Sequence, residues 1–410
     1  EKAVVFFYPY ICYNCWDDFS EVAMDLNITF KIGKREFNLL DTLVFLAMIF
    51  VGILLRVFLF EYESLDYTTY LEPWTSLMSR LGFSILKDGW YNYTGLYMYA
   101  LFFISKLPFP YLVSIKLLSV IFDLLLAIAT AKAVKTVKEN VNPLIVFAIV
   151  WFAPTVIFNS SMWGQCDSIY AFFLIMSFMY FFKENSFKGM LFFSIAFALK
   201  LQTVFFAPVV ILLFFLKKIK FYELFLVPAV YFVSIIPLWI AGRPLLDCLT
   251  IYLGQAGGKN DGISLNYPNM YYLLNNDCYI DLYHVPAILF TVSALLVIMY
   301  YVLKKCYEKG IDNNILIQTA LLSGSLILFF LPNMRERYSF VVDIIAILYA
   351  FTIPKKLYVP VLKFLISAIA YQTYFVYGPY FDYTILAFIQ IFLIFDCTVT
   401  LIKTLREKTA

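Results

Sequence analysis

Charge is what this sequence has least of: 14% of its 410 residues are Asp, Glu, Lys or Arg, where a soluble domain carries about 25%. With 62% of the residues hydrophobic, too few charges remain to cover a globule in water. Histidine is nearly absent, and the single His284 excludes a His-rich metal site and a His-centred triad. There is no Gly-rich phosphate loop of the Walker A kind, so a nucleotide-driven reaction has no support. Cysteines are scattered at 12, 15, 166, 248, 278, 306 and 397. Only Cys12 and Cys15 form a close pair, and one CxxC without a second ligand pair is weak evidence for a zinc or redox site. Cys248 and Cys278 share one loop and could pair, with free thiols an equal alternative. Internal repeats and low-complexity tracts are missing, and no cleavable signal peptide is expected, since the first 38 residues carry several charges and no isolated apolar core. No cofactor, resident metal or nucleic-acid partner is expected.

What the chain has in abundance is apolar runs about as long as the ~30 Å hydrocarbon core of a bilayer requires. Backbone amides in lipid must be satisfied within the segment, so such runs are helices. Aromatic residues make up 20% of the chain, which suits a protein with two wet interfaces. The sequence predicts an all-α polytopic membrane protein of about twelve spans, near 40–60, 113–136, 143–160, 165–183, 186–200, 201–216, 221–241, 286–303, 314–331, 339–353, 357–376 and 383–402. Residues 1–38 form a separate segment, amphipathic in character and expected on the inner surface; 39–410 form one transmembrane domain.

Orientation follows from the basic residues. With the N-terminus inside, the inner loops collect Lys31, Lys34 and Arg35; Lys132, Lys135 and Lys138; Lys183 and Lys188; and Lys217, Lys218 and Lys220. They also collect Lys304, Lys305 and Lys309, then Lys355 and Lys356, then Lys403, Arg406 and Lys408. These are 19 of the 31 basic residues, the bias expected of cytoplasmic loops, and both termini are then cytoplasmic. Counting 93–107 as a span would reverse every later loop. A helix of about 15 residues reaches only ~22 Å, so this segment is expected to lie in the outer interface. Two large outer loops result, near 61–112 and 242–285, and both are acidic. Two outward-facing N-x-S/T sites, at Asn92 and Asn159, lie too close to the membrane to be good glycan acceptors.

Four clusters fall on the outer side, where intramembrane and juxtamembrane charge usually marks a site. Glu61 to Trp74 places Asp66 at the membrane surface, where a carboxylate can take a proton from a hydroxyl; an aromatic belt with solvated acids is the plainer reading. Trp163-Gly164-Gln165-Cys166-Asp167-Ser168 offers ring and amide contacts suited to a sugar, while Asp167 and Ser168 equally fit a helix N-cap. Asn266 and Asn269 flank Pro268 in a turn-forming pattern, and their amides equally suit hydroxyls. Asn333 to Tyr338 is the one strongly basic outer turn. Its Arg335 and Arg337 match a phosphate bidentately, or a salt-bridge network with Glu336. Lys200, beside Gln202, is a further phosphate candidate or a snorkelling lysine.

In this order the clusters resemble the GT-C class of integral-membrane glycosyltransferases, nearest to bacterial relatives of GPI mannosyltransferase II. The resemblance is carried by Asp66-Tyr67, Tyr70-Leu71 and Pro73-Trp74; by Asn92 to Tyr97; and by Lys116 to Ser119 with Phe122-Asp123. It continues through Trp163-Gly164-Gln165 with Asp167, Lys200 with Gln202, Asn266 with Pro268-Asn269, and Met334 with Glu336-Arg337-Tyr338. The chain departs from the family in having Arg335 where His is common, and Leu201 and Gly95 where Pro is common. The resemblance implies a polyprenyl- or dolichyl-phosphate sugar as donor, transfer at the outer face to a glycan, lipid or protein hydroxyl, and inversion by direct displacement. It implies Asp66 as general base, Arg335, Arg337 and Lys200 at the donor phosphate, and Trp163, Gln165, Asp167, Asn266, Asn269, Tyr67 and Tyr97 around the sugar or acceptor. Mannose is the expected sugar. The Lys, Asn, Ile and Phe content favours a bacterial cytoplasmic membrane over the endoplasmic reticulum. A transporter or flippase for a lipid-linked sugar is the alternative; such proteins usually place charges near the midplane within repeats.

Overall fold

Long apolar runs have one stable form in hydrocarbon, the helix, because it closes its own backbone hydrogen bonds. The structure, a computed structural model, describes residues 29–32, 35–256, 262–274, 280–376, 378 and 381–409. The Cys12/Cys15 pair and Cys278 lie outside the described residues. The chain divides into two compact units, Glu1–Leu55 and Arg56–Ala410.

In the first unit, strands β1 (Thr29–Ile32) and β2 (Arg35–Asn38) pair antiparallel, with Thr29 opposite Asn38 and Lys31 opposite Glu36. This short hairpin precedes the helical membrane domain. The two-residue alternation of apolar and polar positions in Thr29–Ile32 is the strand period, too short a signal to stand out beside the apolar runs. Helix α1 (Leu39–Val57) begins at once, and the Asp41 amide donates to Asn38 Oδ1 (3.2 Å).

The second unit is built of helices: α2 (Glu72–Leu81), α3 (Gly95–Ile104), α4 (Tyr111–Val137), α5 (Pro143–Trp151), α6 (Asp167–Phe182), α7 (Ser186–Leu199), α8 (Ala207–Phe215) and α9 (Leu226–Ile240). After the second large loop come α10 (Ile280–Lys309), α11 (Asn313–Phe330), α12 (Phe340–Thr352), α13 (Tyr358–Phe375) and α14 (Tyr383–Thr409). Their ends follow local chemistry. Asn142 caps α5, whose first residue is Pro143; Asn185 caps α7 and Asp312 caps α11 through side-chain oxygens. Pro154 stops α5 from continuing, and the following turn leaves at 53°.

Among the described residues six helices are long and apolar enough to cross a membrane: α1, α4, the run ending in α9, α10, α11 and α14. The bent pair Pro143–Trp151 and Pro154–Trp163 makes a seventh if it is one span. The protein is therefore a multi-pass integral membrane protein. Several expected spans are shorter helices, among them α6, α7 and Leu201–Phe215, because extended backbone at Lys200 and the turn at 183–185 interrupt them. Helix α3 has ten residues, about 15 Å, too short to cross.

Burial sorts these helices. In α11, 83% of the most apolar window is buried, against 11% in α10, so α10 presents its apolar surface to lipid. Helices α11 and α12 approach closely at Gly324, where a Cβ would come within 2.7 Å of Val342 Cγ2. Helix α4 packs on α5 and α6, α6 on α7, and α7 on α9. That arrangement carries the turns that meet around Asp66.

Candidate functional site

Three chain segments far apart in sequence converge on one carboxylate. Asp66 Oδ2 accepts from Trp163 Nε1 (3.0 Å), from Gln165 Nε2 (2.5 Å) and from Arg337 Nη1 (3.4 Å). The Asp66 backbone N–H donates to the hydroxyl of Tyr374 (2.9 Å), at the end of α13. Only Oδ2 takes part. Oδ1 makes no hydrogen bond among the described residues, and the side chain is 21% exposed. One oxygen is thus fixed and the other is open.

The segments are held as firmly as the carboxylate. Lys116, buried on α4, donates to the carbonyl oxygens of Leu59 (3.1 Å), Phe60 (2.9 Å) and Tyr62 (2.5 Å). It caps carbonyls in the turn leaving α1. Ser64 Oγ donates to Trp163 O (2.7 Å) and accepts from the Tyr67 N–H (3.1 Å), tying the Asp66 turn to the Trp163 turn. Ser119 Oγ donates to Gln165 O (2.7 Å). Gly164 sits between the two donors at φ 76°, the left-handed region in which glycine costs nothing. This turn lets Trp163 and Gln165 aim at the same atom.

Trp163 is fully buried. Its ring stacks on Tyr374 at 4.0 Å, and the Arg337 guanidinium lies 5.4 Å from its centroid. It therefore orients the carboxylate and does not offer a ring face to a sugar. Arg337 also approaches buried Glu336 (3.6 Å). Burial acts to lower the Arg337 pKa, but Asp66, Tyr93 and Glu336 outweigh it and raise it well above the ordinary value. Burial pushes the Glu336 carboxyl up, with Arg337 opposing. Arg337 Nε is buried and has no hydrogen-bond partner among the described residues.

The other expected residues divide. Asp167 and Lys200 form a buried ion pair, and Asp167 also accepts from Asn159 Nδ2 (2.8 Å). Lys200 is committed to Asp167 and only 6% exposed, so in this arrangement it is not presented to a phosphate. Asn159 is fully buried too, which removes it as a glycan acceptor. Tyr67 and Tyr97 are buried; Tyr97 packs against Tyr93 at 4.9 Å. Neither side chain bonds to the Asp66 oxygens. Arg335 and Asn266 are neighbours in a short bridge between the loop 262–267 and the turn 333–337, with Leu265 N–H on Met334 O (2.9 Å). Asn269 is buried, its Oδ1 taken by the Tyr271 N–H and its Nδ2 unpartnered.

A second charged network lies beneath. Arg56 pairs with Asp123 (3.0 Å), donates to Trp151 O (3.0 Å) and lies 3.7 Å over the Trp151 ring. Asp123 also accepts from Ser160 (2.6 Å) and Ser168. This network supports the Trp163 turn from below. Tyr374, Ser64 and Arg56 were not expected at the site. For Tyr374 a signal existed: Tyr371, Tyr374 and Phe375 crowd the C-terminal end of the same helix.

The fold and the cluster define a class: a multi-pass membrane protein built around a carboxylate with an arginine beside it. A search against protein-family models gives no match, and neither does a search of curated proteins.

Proposed function

We propose that this protein is a membrane glycosyltransferase of the GT-C kind, moving a sugar, with mannose expected, from polyprenyl or dolichyl phosphate to an acceptor hydroxyl on the extracytoplasmic face. The observation that carries this reading is the divided carboxylate of Asp66, with Oδ2 fixed by three donors and Oδ1 free. Oδ1 is the proton acceptor. As the acceptor oxygen attacks C1 of the donor sugar, its proton passes to Oδ1, the new C1–O bond forms and the bond from C1 to the phosphate oxygen breaks. The electron pair leaves with polyprenyl phosphate, and the configuration at C1 inverts. Arg337 supplies the positive charge that a departing phosphate needs, with Arg335 two residues earlier. The lipid-exposed faces of helices such as α10 suit a donor that arrives within the bilayer.

The twelve-span arrangement with both termini cytoplasmic belongs to the same proposal. It rests on the lysine pattern, which puts the Asp66 turn, the Trp163 turn and the 333–337 turn on one side. Purified protein incubated with a panel of polyprenyl-phosphate sugars and glycan, lipid or peptide acceptors is expected to consume one donor. Asp66→Asn should abolish transfer while leaving the protein folded, and near-normal transfer by that variant would end the base assignment.

A transporter for a lipid-linked sugar is the second reading. Its support is two ionisable residues within the helices: Asp343 on α12 is fully buried, its carboxylate oxygens without a hydrogen-bond partner among the described residues, and Lys363 on α13 is 2% exposed and donates to Gln390 Oε1 (2.8 Å). Movement of fluorescent lipid-linked sugar across proteoliposomes, with no covalent transfer, would favour it.

A further inference from the structure

Beside the Asp66 cluster a cavity of about 240 Å³ is lined by Asn266, Tyr272, Thr373, Phe381, Asp382 and Tyr383. Its chemistry is narrow. Among the described residues no cation lines it, and Asp382 is a carboxylate, so it repels a phosphate. A hydrocarbon chain would leave Asn266, Thr373 and Asp382 facing apolar matter, a desolvation cost without compensation. A neutral polyol fits both halves of the lining. Asp382 Oδ1 accepts from the Thr384 N–H (2.8 Å), leaving its other oxygen for hydroxyls. Phe381, 57% exposed at the rim, offers a ring to the C–H face of a sugar.

The walls are also stiff. The Thr373 and Tyr383 hydroxyls share a hydrogen bond (2.5 Å), and the Tyr272 and Tyr383 rings meet edge to face at 4.8 Å. The loop carrying Asn266 is clamped from α14, where Gln390 Nε2 donates to the Tyr267 hydroxyl (2.5 Å) and Pro268 O (3.3 Å). Two walls lead directly to Asp66. Thr373 precedes Tyr374, whose hydroxyl accepts the Asp66 N–H (2.9 Å). Asn266 bridges to Arg335, two residues before the Arg337 that reaches Asp66.

We propose that this cavity binds a sugar ring of the acceptor, making the acceptor a glycan and not a bare lipid or a peptide. The proposal rests on the glycosyl-transfer reading for what happens next, but the binding itself does not. The ring sits in the cavity, and a hydroxyl on it or on its neighbour faces Asp66 Oδ1.

Saturation-transfer NMR on the full chain in nanodiscs tests it, with methyl α-mannoside, methyl α-glucoside and methyl N-acetyl-β-glucosaminide as probes. Wild type and Asp66→Asn are both expected to give saturable transfer to at least one probe in the millimolar range. Asp382→Asn keeps an oxygen for the Thr384 cap and loses the charge; it and Phe381→Ala should weaken that binding at least tenfold. Both residues are exposed, so an unchanged thermal midpoint is expected. No saturable binding by wild type overturns the proposal. So does binding that both cavity variants retain, or binding that Asp66→Asn alone destroys. Failure of the donor panel with sugar binding intact would instead sink the transfer reading and leave this site standing.

Discussion

Trp163→Phe isolates the orienting role assigned to Trp163. The substitution keeps an aromatic ring to stack on Tyr374, now at 4.0 Å, and removes the 3.0 Å N–H bond to Asp66 Oδ2. A hydrogen bond to a charged group is worth ~1.5–3 kcal/mol. Gln165 and Arg337 still hold the same oxygen, so the lower figure applies, and ~1.4 kcal/mol is a factor of about ten in rate. If the freed carboxylate also shifts, a displacement of ~1 Å can cost about 100-fold. The expected result is a kcat lower by about ten- to a hundredfold, with donor KM within about twofold of wild type on the transition-state argument. The assay is steady-state transfer from the donor identified in the panel. Because Trp163 acts through Asp66, the two substitutions must not add: in an Asp66→Asn background, Trp163→Phe should change the residual rate by less than about twofold. A full-rate Trp163→Phe enzyme, a loss confined to KM, or clean additivity with Asp66→Asn would each refute the reasoning.

Lys116→Met removes the donor to the part-buried carbonyls of Leu59, Phe60 and Tyr62, although Leu59 O keeps the Tyr62 N–H (3.3 Å). A loss of at least ~1 kcal/mol should appear as a fall in the thermal midpoint in detergent, and an unchanged midpoint counts against that cap. Gly164→Ala meets no atom closer than 3.8 Å, so its cost is the left-handed backbone alone, ~1–2 kcal/mol; kcat should fall more than stability, and unaltered kinetics would show that the turn does not aim the donors. Glu336 is pushed up from 4.5 by burial, so the folded state favours its protonated form. Its contribution to stability is present below that value and is lost as pH rises through the raised pKa. The midpoint of Glu336→Gln should therefore gain on wild type between pH 4.5 and pH 7, and a gap that stays constant would contradict the shift.

Membrane character, helical build and the identities at the centre were legible in the sequence, for physical reasons. Runs such as Leu39–Val57 announce themselves because lipid tolerates nothing but a helix there. Asp66, Trp163, Gln165 and Arg337 stood out because polar groups beside long apolar runs are rare. Their roles were less legible. A Trp next to Gly and Gln reads as a sugar platform until the structure covers its ring with Tyr374 and turns its N–H toward Asp66. Lys200 reads as a phosphate ligand until Asp167 is found against it; the partner lies 33 positions away, and no spacing rule connects them. Arg56 and Asp123 are separated by 67 positions and sit in apolar stretches where sequence gives no reason to join them. Lengths were the other weak point, since a buried helix such as α7 needs no 20-residue apolar run when its ends are satisfied by caps and turns.

These buried charges bear on the choice between enzyme and transporter. A transport pathway needs groups that change partners as the protein opens to either side. Around Asp66 the opposite holds. Arg56 has a carboxylate, a carbonyl and a ring; Lys116 has three carbonyls; Asp123 has a guanidinium and two hydroxyls. Breaking any of these in the interior strands a buried charge, at ~3–5 kcal/mol, so rearrangement here is opposed several times over. What such a framework does well is hold Oδ1 of Asp66 and the guanidinium of Arg337 in place while a lipid-borne donor and an acceptor come and go. Fixed dipoles and charges that need no reorganisation are what lower a barrier at a departing phosphate. The rigidity around Asp66 thus favours chemistry at this site over passage through it.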